Sequence, residues 1–187
     1  MLINVYDFDN TIYRGDSSFD FYCHCRARYP RVKRDVFGVL PLALDFLLHK
    51  RDKTRTKERF YRYLSFVPDV ESEVLRFWET HEQNVKSWYL KQKRADDLII
   101  SASPVFLLTP VCERLGVRLI ASRVEAQTGI YDGLNCHDEE KVRRMRERYP
   151  DVEIDRFYSD SLADAPLAKL AHEAFLVKGD AISPFPL

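Results

Sequence analysis

The sequence lacks the features that mark membrane-spanning, secreted and polyanion-binding proteins. No segment of its 187 residues is long and apolar enough to cross a bilayer, and its opening lacks the basic region and apolar stretch of a secretory signal. Its 29 Lys and Arg residues balance its 29 Asp and Glu residues, which argues against nucleic acid as the main partner. We therefore expect a soluble, cytoplasmic protein of one domain, or one domain with an insert.

Cysteine is scarce, and the four cysteines include no C-x-x-C pair. Cys23-His24-Cys25 together with Cys136-His137 suggests a zinc site, but C-x-C spacing is uncommon in structural zinc sites. Reduced, partly buried thiols in a cytosolic protein are the better interpretation.

An apolar run near the N-terminus ends abruptly in the acidic pentad Asp7-Phe8-Asp9-Asn10-Thr11. The run is short and flanked by turn formers, which predicts a buried strand of a parallel sheet. Open α/β sheets bind ligands at the carboxyl ends of such strands. Two close carboxylates stay ionised together only beside a cation or strong donors, and one can then act as a nucleophile while the other moves a proton. The alternative is an ordinary acidic turn in which Asp9 or Asn10 caps the next segment.

After this strand the pattern is helical as far as Tyr89. Gly15 permits a tight turn, Asp16 or Ser17 can cap a helix, and no alternation of period two is present. The apolar segment 36–48 is interpreted as a core helix, with a pocket wall or a membrane-touching face as alternatives. The basic run 49–62 is typical of a solvated helix face, but it could also meet an anionic substrate or lipid head groups.

Strands and helices alternate beyond residue 90. Strands are predicted at 96–101, 117–121, 156–159 and 174–177, a helix is predicted to open at Ser103-Pro104, another to be capped by Asp138, and the tail from residue 183 to be irregular. The fold class is therefore α/β, a Rossmann-like parallel sheet flanked by helices, with an all-helical cap inserted after the first strand. The predicted core comprises residues 1–15 and 90–187, and the predicted cap residues 16–89.

Three predicted strand ends meet at one edge of this sheet. The first carries Asp7 and Asp9, the second carries Ser101 before a helix N-terminus that favours an anion, and the later one carries Asp160. Asp164 could have a structural role instead of a functional one, either as part of a capping box or as the N-cap residue itself. Lys141 lies in the first turn of a helix, where a cation is unfavourable for the helix dipole. Lysines on helix faces are ordinarily solvated, and an anion in front of Lys141 would favour a functional role instead.

In this order, Asp-x-Asp-x-Thr, an apolar strand ending in Ser, a Lys and Asp-Ser-x-x-Asp resemble the four motifs of the haloacid dehalogenase-like (HAD) hydrolases. The stretches 99–104 and 135–142 are similar to the phosphoserine-phosphatase-like branch (subfamily IB), whose helical cap lies between the first and second motifs. Two departures are Ser159 before Asp160, where many members have Gly, and Ser103, where some phosphoserine phosphatases have Gly.

The resemblance implies a phosphatase that acts through an aspartyl-phosphate. Asp7 would be the nucleophile and Asp9 the general acid and base. Mg2+ would be held by Asp7, Asp160 and the backbone carbonyl of Asp9. The remaining roles are phosphate binding by Ser101, Ala102 and Lys141, ordering of the loop by Thr11, and support of Lys141 or the metal's waters by Asp164.

The cap is expected to choose the substrate. Asp16 lies where phosphoserine phosphatases carry a Glu that meets the substrate's amino group, and Arg59 or Arg62 could hold a carboxylate. The apolar and basic stretches suggest instead a lipid phosphate, with contact to a membrane surface. A phosphotransferase and a non-catalytic phosphate-binding module are the alternative functions, although binding alone would not need Asp9.

Overall fold

A computed structural model of the chain describes residues 1–34 and 53–187, and every structural statement below concerns these residues. The predicted apolar segment 36–48 and the beginning of the basic run lie outside this part of the chain. Within it, helices remain shorter or more polar than a bilayer-crossing helix has to be.

The described strands form one six-stranded sheet in the order β3-β2-β1-β4-β5-β6. The strands are β1 (Leu2–Tyr6), β2 (Leu98–Pro104), β3 (Arg118–Ser122), β4 (Glu153–Ser159), β5 (Ala171–Lys178) and β6 (Ala181–Pro184). All neighbours are parallel except β5 and β6. The first strand lies in the middle of the sheet and is buried from Ile3 to Tyr6, because apolar residues cover both of its faces. The predicted α/β fold class is thereby confirmed.

Helices cover the sheet and make up most of the described part of the stretch predicted to be the cap. They are α1 (Ser17–Arg28), α2 (Pro30–Arg34), α3 (Lys53–Tyr61), α4 (Val70–His81), α5 (Ser87–Gln92), α6 (Val105–Leu115), α7 (Glu139–Arg148) and α8 (Ala165–Ala168), with 3-10 turns at Arg62–Phe66, Glu82–Asn84 and Leu162–Asp164. We call α1 to α4 the cap helices. The carboxylate of Asp16 accepts a hydrogen bond from Phe19 N at 2.9 Å and so begins α1, as one of the two predicted caps.

Two local predictions were wrong, and a third was right only in position. The strand β2 runs through Pro104, so Ser103 does not cap α6, and its hydroxyl donates to a side chain described below. Asp138 occupies the N-cap position of α7 as predicted, with a φ of +58°, but its side chain makes no capping hydrogen bond within the described chain. The tail contains β6, because Gly179 turns the chain back against β5 and Pro184 is tolerated in an edge strand.

An aromatic cluster joins the cap helices to the core behind the acidic pentad. Trp78 of α4 is fully buried and stands edge-on to Phe8 and Tyr13, with ring centroids 6.0 and 5.7 Å away. Its indole N–H donates to Leu107 O at 2.6 Å. Buried aromatic pairs in this geometry add to the free energy gained by burial, so α4 is held firmly against the core.

A hairpin-like turn at residues 123–132 packs against the cap helices. Glu125 N donates to Ile130 O, and Val124 bridges Tyr131 in antiparallel fashion. Gly129, at a φ of +76°, lies so close to α3 that an added Cβ would meet the backbone of Tyr61 at 2.6 Å. Only glycine fits there without displacement of one segment.

Replacing Gly129 by alanine is expected to lower the free energy of unfolding by about 2–4 kcal/mol, because backbone strain and overpacking act together. Gly116→Ala is the matched control. Its φ of +69° is similar, but an added Cβ there meets nothing within 4 Å. Urea denaturation of both variants measures the difference, and equal losses would contradict the close contact with Tyr61.

Candidate functional site

The carboxyl ends of β1, β2 and β4 border a cavity of about 280 Å3 that also touches the cap helices. Predicted site residues that line it are Asp7, Asp9, Asp16, Ala102, Lys141, Asp160 and Asp164. The topology brings them together because these three strands are neighbours and their ends meet at one edge of the sheet.

Lys141 joins two of the aspartates. Its Nζ donates to Asp7 Oδ1 at 2.7 Å and to Asp164 Oδ2 at 2.8 Å, and Ser159 Oγ donates to the same Asp164 oxygen at 2.7 Å. Only 3% of the lysine is exposed. Burial alone would lower the pKa of Lys141, but the two carboxylates outweigh it and raise that pKa above its usual value. A lysine in the first turn of α7 is thus explained by the carboxylates in front of it.

Asp7 follows the central strand directly and is itself buried. Burial raises the pKa of its carboxyl to about 7; the positive charge of Lys141 opposes this shift, and the negative charge of Asp164 adds to it. Thr11 Oγ1 donates to Asp7 Oδ2 at 3.4 Å and accepts from Asp160 N at 2.9 Å. Thr11 therefore connects the loop after β1 to the loop after β4, and its role in ordering the loop stays a prediction.

Asp9 is fixed through both carboxylate oxygens. Ser17 N donates to Oδ1 at 2.7 Å and Ser103 Oγ donates to Oδ2 at 2.5 Å. Burial, followed by the charge of Asp16, raises the pKa of the Asp9 carboxyl to about 6. A carboxyl group with a pKa near the working pH is suited to accepting and releasing a proton.

These shifts give the metal-free protein an unusual pH dependence. An aspartate whose pKa is raised on folding binds more protons in the folded than in the unfolded state, so stability falls as pH rises through that range. For Asp9 the range is about pH 4 to 6, and the fall is at most about 3 kcal/mol.

In Asp9→Asn we expect this fall to disappear, so that the variant gains stability relative to the wild type between pH 4 and pH 7. Urea denaturation in EDTA at several pH values measures the gain. Asp151→Asn, which removes an exposed carboxylate, is the control. A difference between Asp9→Asn and wild type that stays constant with pH would contradict the raised pKa.

Ser101 is fully buried, and its Oγ accepts a hydrogen bond from Ser103 N at 3.0 Å. Among the described residues it supports the cavity wall, whereas Ala102 and Ser103 line the cavity. Phosphate binding by Ser101 stays a prediction.

The cavity has the character of a site for a hard cation. Five aspartates, Asp7, Asp9, Asp16, Asp160 and Asp164, face two lysines, so negative charge is in excess. Burial raises the pKa of the Asp160 carboxyl, the nearby charge of Lys178 opposes this shift, and the charge of Asp164 adds to it. The raised pKa indicates that the negative charge of Asp160 is not fully compensated. Oxygen ligands suit Mg2+. No three His, Cys, Asp or Glu side chains of the described chain form a ready-made metal cluster, so an ion here would also need backbone, water or substrate oxygens.

Lys57, which was not predicted, lines the cavity from α3. Its Nζ donates to Ala102 O at 3.0 Å and to Asn135 Oδ1 at 3.3 Å. Burial lowers the pKa of Lys57, while Asp16 and Asp9 oppose the shift. The predicted specificity residues Arg59 and Arg62 are exposed and are not among the described residues that line the cavity. Helical spacing was the available signal, because Lys57 shares a face with Phe60 and Tyr61, which also line the cavity.

Lys86 is a buried lysine that was not predicted to have a role. Only 4% of it is exposed, and its Nζ donates to Asn10 O and Gly179 O, each at 2.6 Å. It therefore ties the loop that carries Asp9 to the turn between β5 and β6. The four cysteines are free thiols, of which Cys23 alone is exposed.

Comparison with known proteins agrees with this geometry. The family model described as haloacid dehalogenase-like hydrolase matches residues 5–169. Protein CicA of Caulobacter vibrioides is 30% identical over 193 residues, covering 92% of this chain and 84% of CicA.

Two solved structures share the fold. A Bordetella pertussis Tohama I protein of unknown function aligns with a TM-score of 0.75 at 20% identity, over 92% of this chain and 88% of that one. A phosphoserine phosphohydrolase-like protein of Francisella tularensis aligns with a TM-score of 0.57 at 12% identity, over 93% and 86%. The chain therefore belongs to the haloacid dehalogenase-like hydrolases and has the fold of their phosphoserine-phosphatase-like branch, as its motifs predicted.

Proposed function

We propose that this hydrolase is a Mg2+-dependent phosphatase that cleaves a phosphate monoester through an aspartyl-phosphate on Asp7. The observation that carries the proposal is the pairing of Asp7 with Lys141 in the same cavity as Asp9, whose two oxygens are both fixed. A nucleophile, a cation beside it and a group able to exchange a proton are the minimum for this chemistry.

In the first step a carboxylate oxygen of Asp7 attacks phosphorus in line with the ester oxygen. The bond from phosphorus to that oxygen breaks as the bond to Asp7 forms. Lys141, together with Ser101 and the backbone at Ala102, offsets the charge on the phosphoryl oxygens. Lys141 also makes the approach of an anionic substrate to a carboxylate electrostatically feasible.

Asp9 supplies the proton transfers. It donates a proton to the leaving oxygen, so the alcohol departs neutral, and it then takes a proton from the water that attacks phosphorus. The bond between phosphorus and Asp7 breaks in this second step, which releases inorganic phosphate, regenerates the Asp7 carboxylate and leaves Asp9 protonated for the next cycle. This role favours phosphate esters over halides, because a halide leaves without a proton.

Asp7, Asp160 and the backbone carbonyl of Asp9 would hold Mg2+. When bound, the ion neutralises carboxylate and phosphate charge, and it would lower the raised pKa of Asp7 so that the nucleophile is ionised.

The cavity favours a small substrate. At about 280 Å3 it lies near the lower limit for ligand pockets, and it presents Asp16 and Lys57, two groups of opposite charge, beside the phosphate position. A phosphorylated metabolite with an amino and an acidic group, such as phosphoserine, is the first candidate. A lipid phosphate is the second, because Phe19 lines the cavity while half of the residue is exposed at its rim.

A phosphatase screen tests the proposal. Phosphoserine, other small phosphate esters and a short-chain lipid phosphate are incubated with the protein, with Mg2+ or with EDTA, and free phosphate is measured. We expect release that requires Mg2+ and a preference for small esters. Transfer of phosphate to an added alcohol without free phosphate would favour a phosphotransferase. Binding of phosphate esters without turnover would favour the non-catalytic module.

A further inference from the structure

Three buried hydroxyl groups connect the cap helices to Asp9. Tyr61 OH, at the end of α3, donates to Ser18 Oγ of α1 at 2.8 Å. Ser18 Oγ lies 2.9 Å from Ser103 Oγ at the end of β2, and Ser103 Oγ donates to Asp9 Oδ2. These three residues are at most 7% exposed, so water competes little for their hydrogen bonds.

All hydrogen bonds in this chain of hydroxyls are donated in the direction of Asp9. Each hydroxyl carries a single proton, and that of Ser103 is used towards Asp9. Ser18 must therefore donate to Ser103, and Tyr61 donates to Ser18. Successive hydrogen bonds that point the same way polarise one another, so the last one, on Asp9, is stronger than an isolated serine would supply.

We propose that this hydroxyl chain orients the Asp9 carboxyl group for proton transfer and makes that orientation depend on the position of the cap helices. Ser103 is then a positioning residue for Asp9, and Tyr61 acts through Ser18 and Ser103. The proposal rests on the phosphatase function proposed above.

The geometry gives the proposal its physical basis. Ser17 N fixes one oxygen of Asp9 and Ser103 fixes the other, so the carboxyl plane has little freedom while both contacts last. Ser17, Ser18 and Tyr61 belong to cap helices, whereas Ser103 belongs to the sheet. Displacement of α1 or α3 from the end of β2 would break the chain and release Asp9.

Leaving-group dependence separates orientation of Asp9 from general support of the fold. An alkyl phosphate needs a proton on its departing oxygen, whereas p-nitrophenolate leaves readily without one. A misoriented Asp9 should therefore slow the first step, which kcat/KM reports, far more for alkyl esters than for p-nitrophenyl phosphate, whereas hydrolysis of the aspartyl-phosphate is common to both substrates. General damage to the site should impair both substrates alike.

The experiment compares wild type, Ser103→Ala, Tyr61→Phe and the control Tyr63→Phe on phosphoserine, or another alkyl ester from the screen, and on p-nitrophenyl phosphate. In Ser103→Ala we expect kcat/KM to fall about 10–100-fold for the alkyl ester and less than about 3-fold for p-nitrophenyl phosphate. Tyr61→Phe should shift the ratio of the two kcat/KM values in the same direction, by about 3–10-fold.

Tyr63→Phe should leave the ratio unchanged, because the equally buried Tyr63 OH makes no hydrogen bond within the described chain. Activity on p-nitrophenyl phosphate and thermal unfolding report whether each variant is folded. Equal losses of kcat/KM on both substrates, or an unchanged ratio in Ser103→Ala, would overturn the positioning role. A wild-type protein that hydrolyses neither substrate would overturn the phosphatase function and this inference with it.

Discussion

Replacing Asp7 by asparagine is expected to lower kcat for phosphate-ester hydrolysis by at least about 10^4-fold, because an amide cannot attack phosphorus. The fold should survive. The amide oxygen can still accept from Lys141, and burial already disfavours the charge that the substitution removes. The metal-free variant should be at least as stable as the wild type above pH 7, where the Asp7 carboxyl is ionised.

Steady-state kinetics and calorimetry measure the two effects, and acid quenching with a labelled substrate should trap phosphate on the wild type but not on the variant. Asp97→Asn is a matched control. Asp97 is also fully buried with a pKa raised by burial to about 6, but it precedes β2 at the opposite end of the strand from the cavity. Its kcat should stay within about twofold of wild type. Undiminished hydrolysis by Asp7→Asn would refute the nucleophile.

The sequence predicted the residues that local patterns determine. Asp7, Asp9 and Asp160 each follow an apolar run, and runs of that length end at the edge of a parallel sheet. Their common location needed only the rule that ligands bind at the carboxyl ends of such strands. Asp16 was predicted in the same way, since an acidic residue before a helix is a common N-cap.

Residues fixed by long-range contacts were not predictable in this way. Ser103-Pro104 has the local pattern of a helix start, but the hydroxyl of Ser103 instead meets Asp9, which is 94 positions away. The helix α3 is mostly charged, and the signal for Lys57 rather than Arg59 was its helical spacing from Phe60 and Tyr61, whose position at the cavity only the folded chain shows. Which side chain of α3 faces the cavity depends on the segments that pack around this helix, and these come together only when the chain folds.

The positive charge of Lys141 is important both for the stability of the fold and for the proposed function. A lysine in the first turn of a helix opposes the helix dipole, and a fully buried ammonium loses its hydration. Both penalties are offset by Asp7 and Asp164, and the lysine in turn reduces the repulsion between these two carboxyl groups. The three side chains therefore form one unit, and removing any member changes the charge balance of the other two.

Lys141→Met is accordingly expected to act on both activity and stability. Removal of one partner from a buried ion pair lowers the free energy of unfolding by about 3–5 kcal/mol, and we expect a loss of this size at pH 8. The value of kcat should fall by about 10^3-fold, because the cation beside the nucleophile is gone. Denaturation in EDTA and steady-state kinetics with Mg2+ measure the two losses.

The stability loss should shrink as pH falls from 8 to 5. Without the lysine, the pKa of Asp7 rises further above its unfolded value, so the folded variant takes up protons that relieve the repulsion from Asp164. Lys93→Met is the control, since Lys93 Nζ donates to Leu115 O at 2.7 Å and lies away from the cavity. Its stability change should not vary over this pH range. A loss in Lys141→Met that is equally large at pH 5 and pH 8 would show that packing around the methylene chain, rather than charge, makes Lys141 important for the fold.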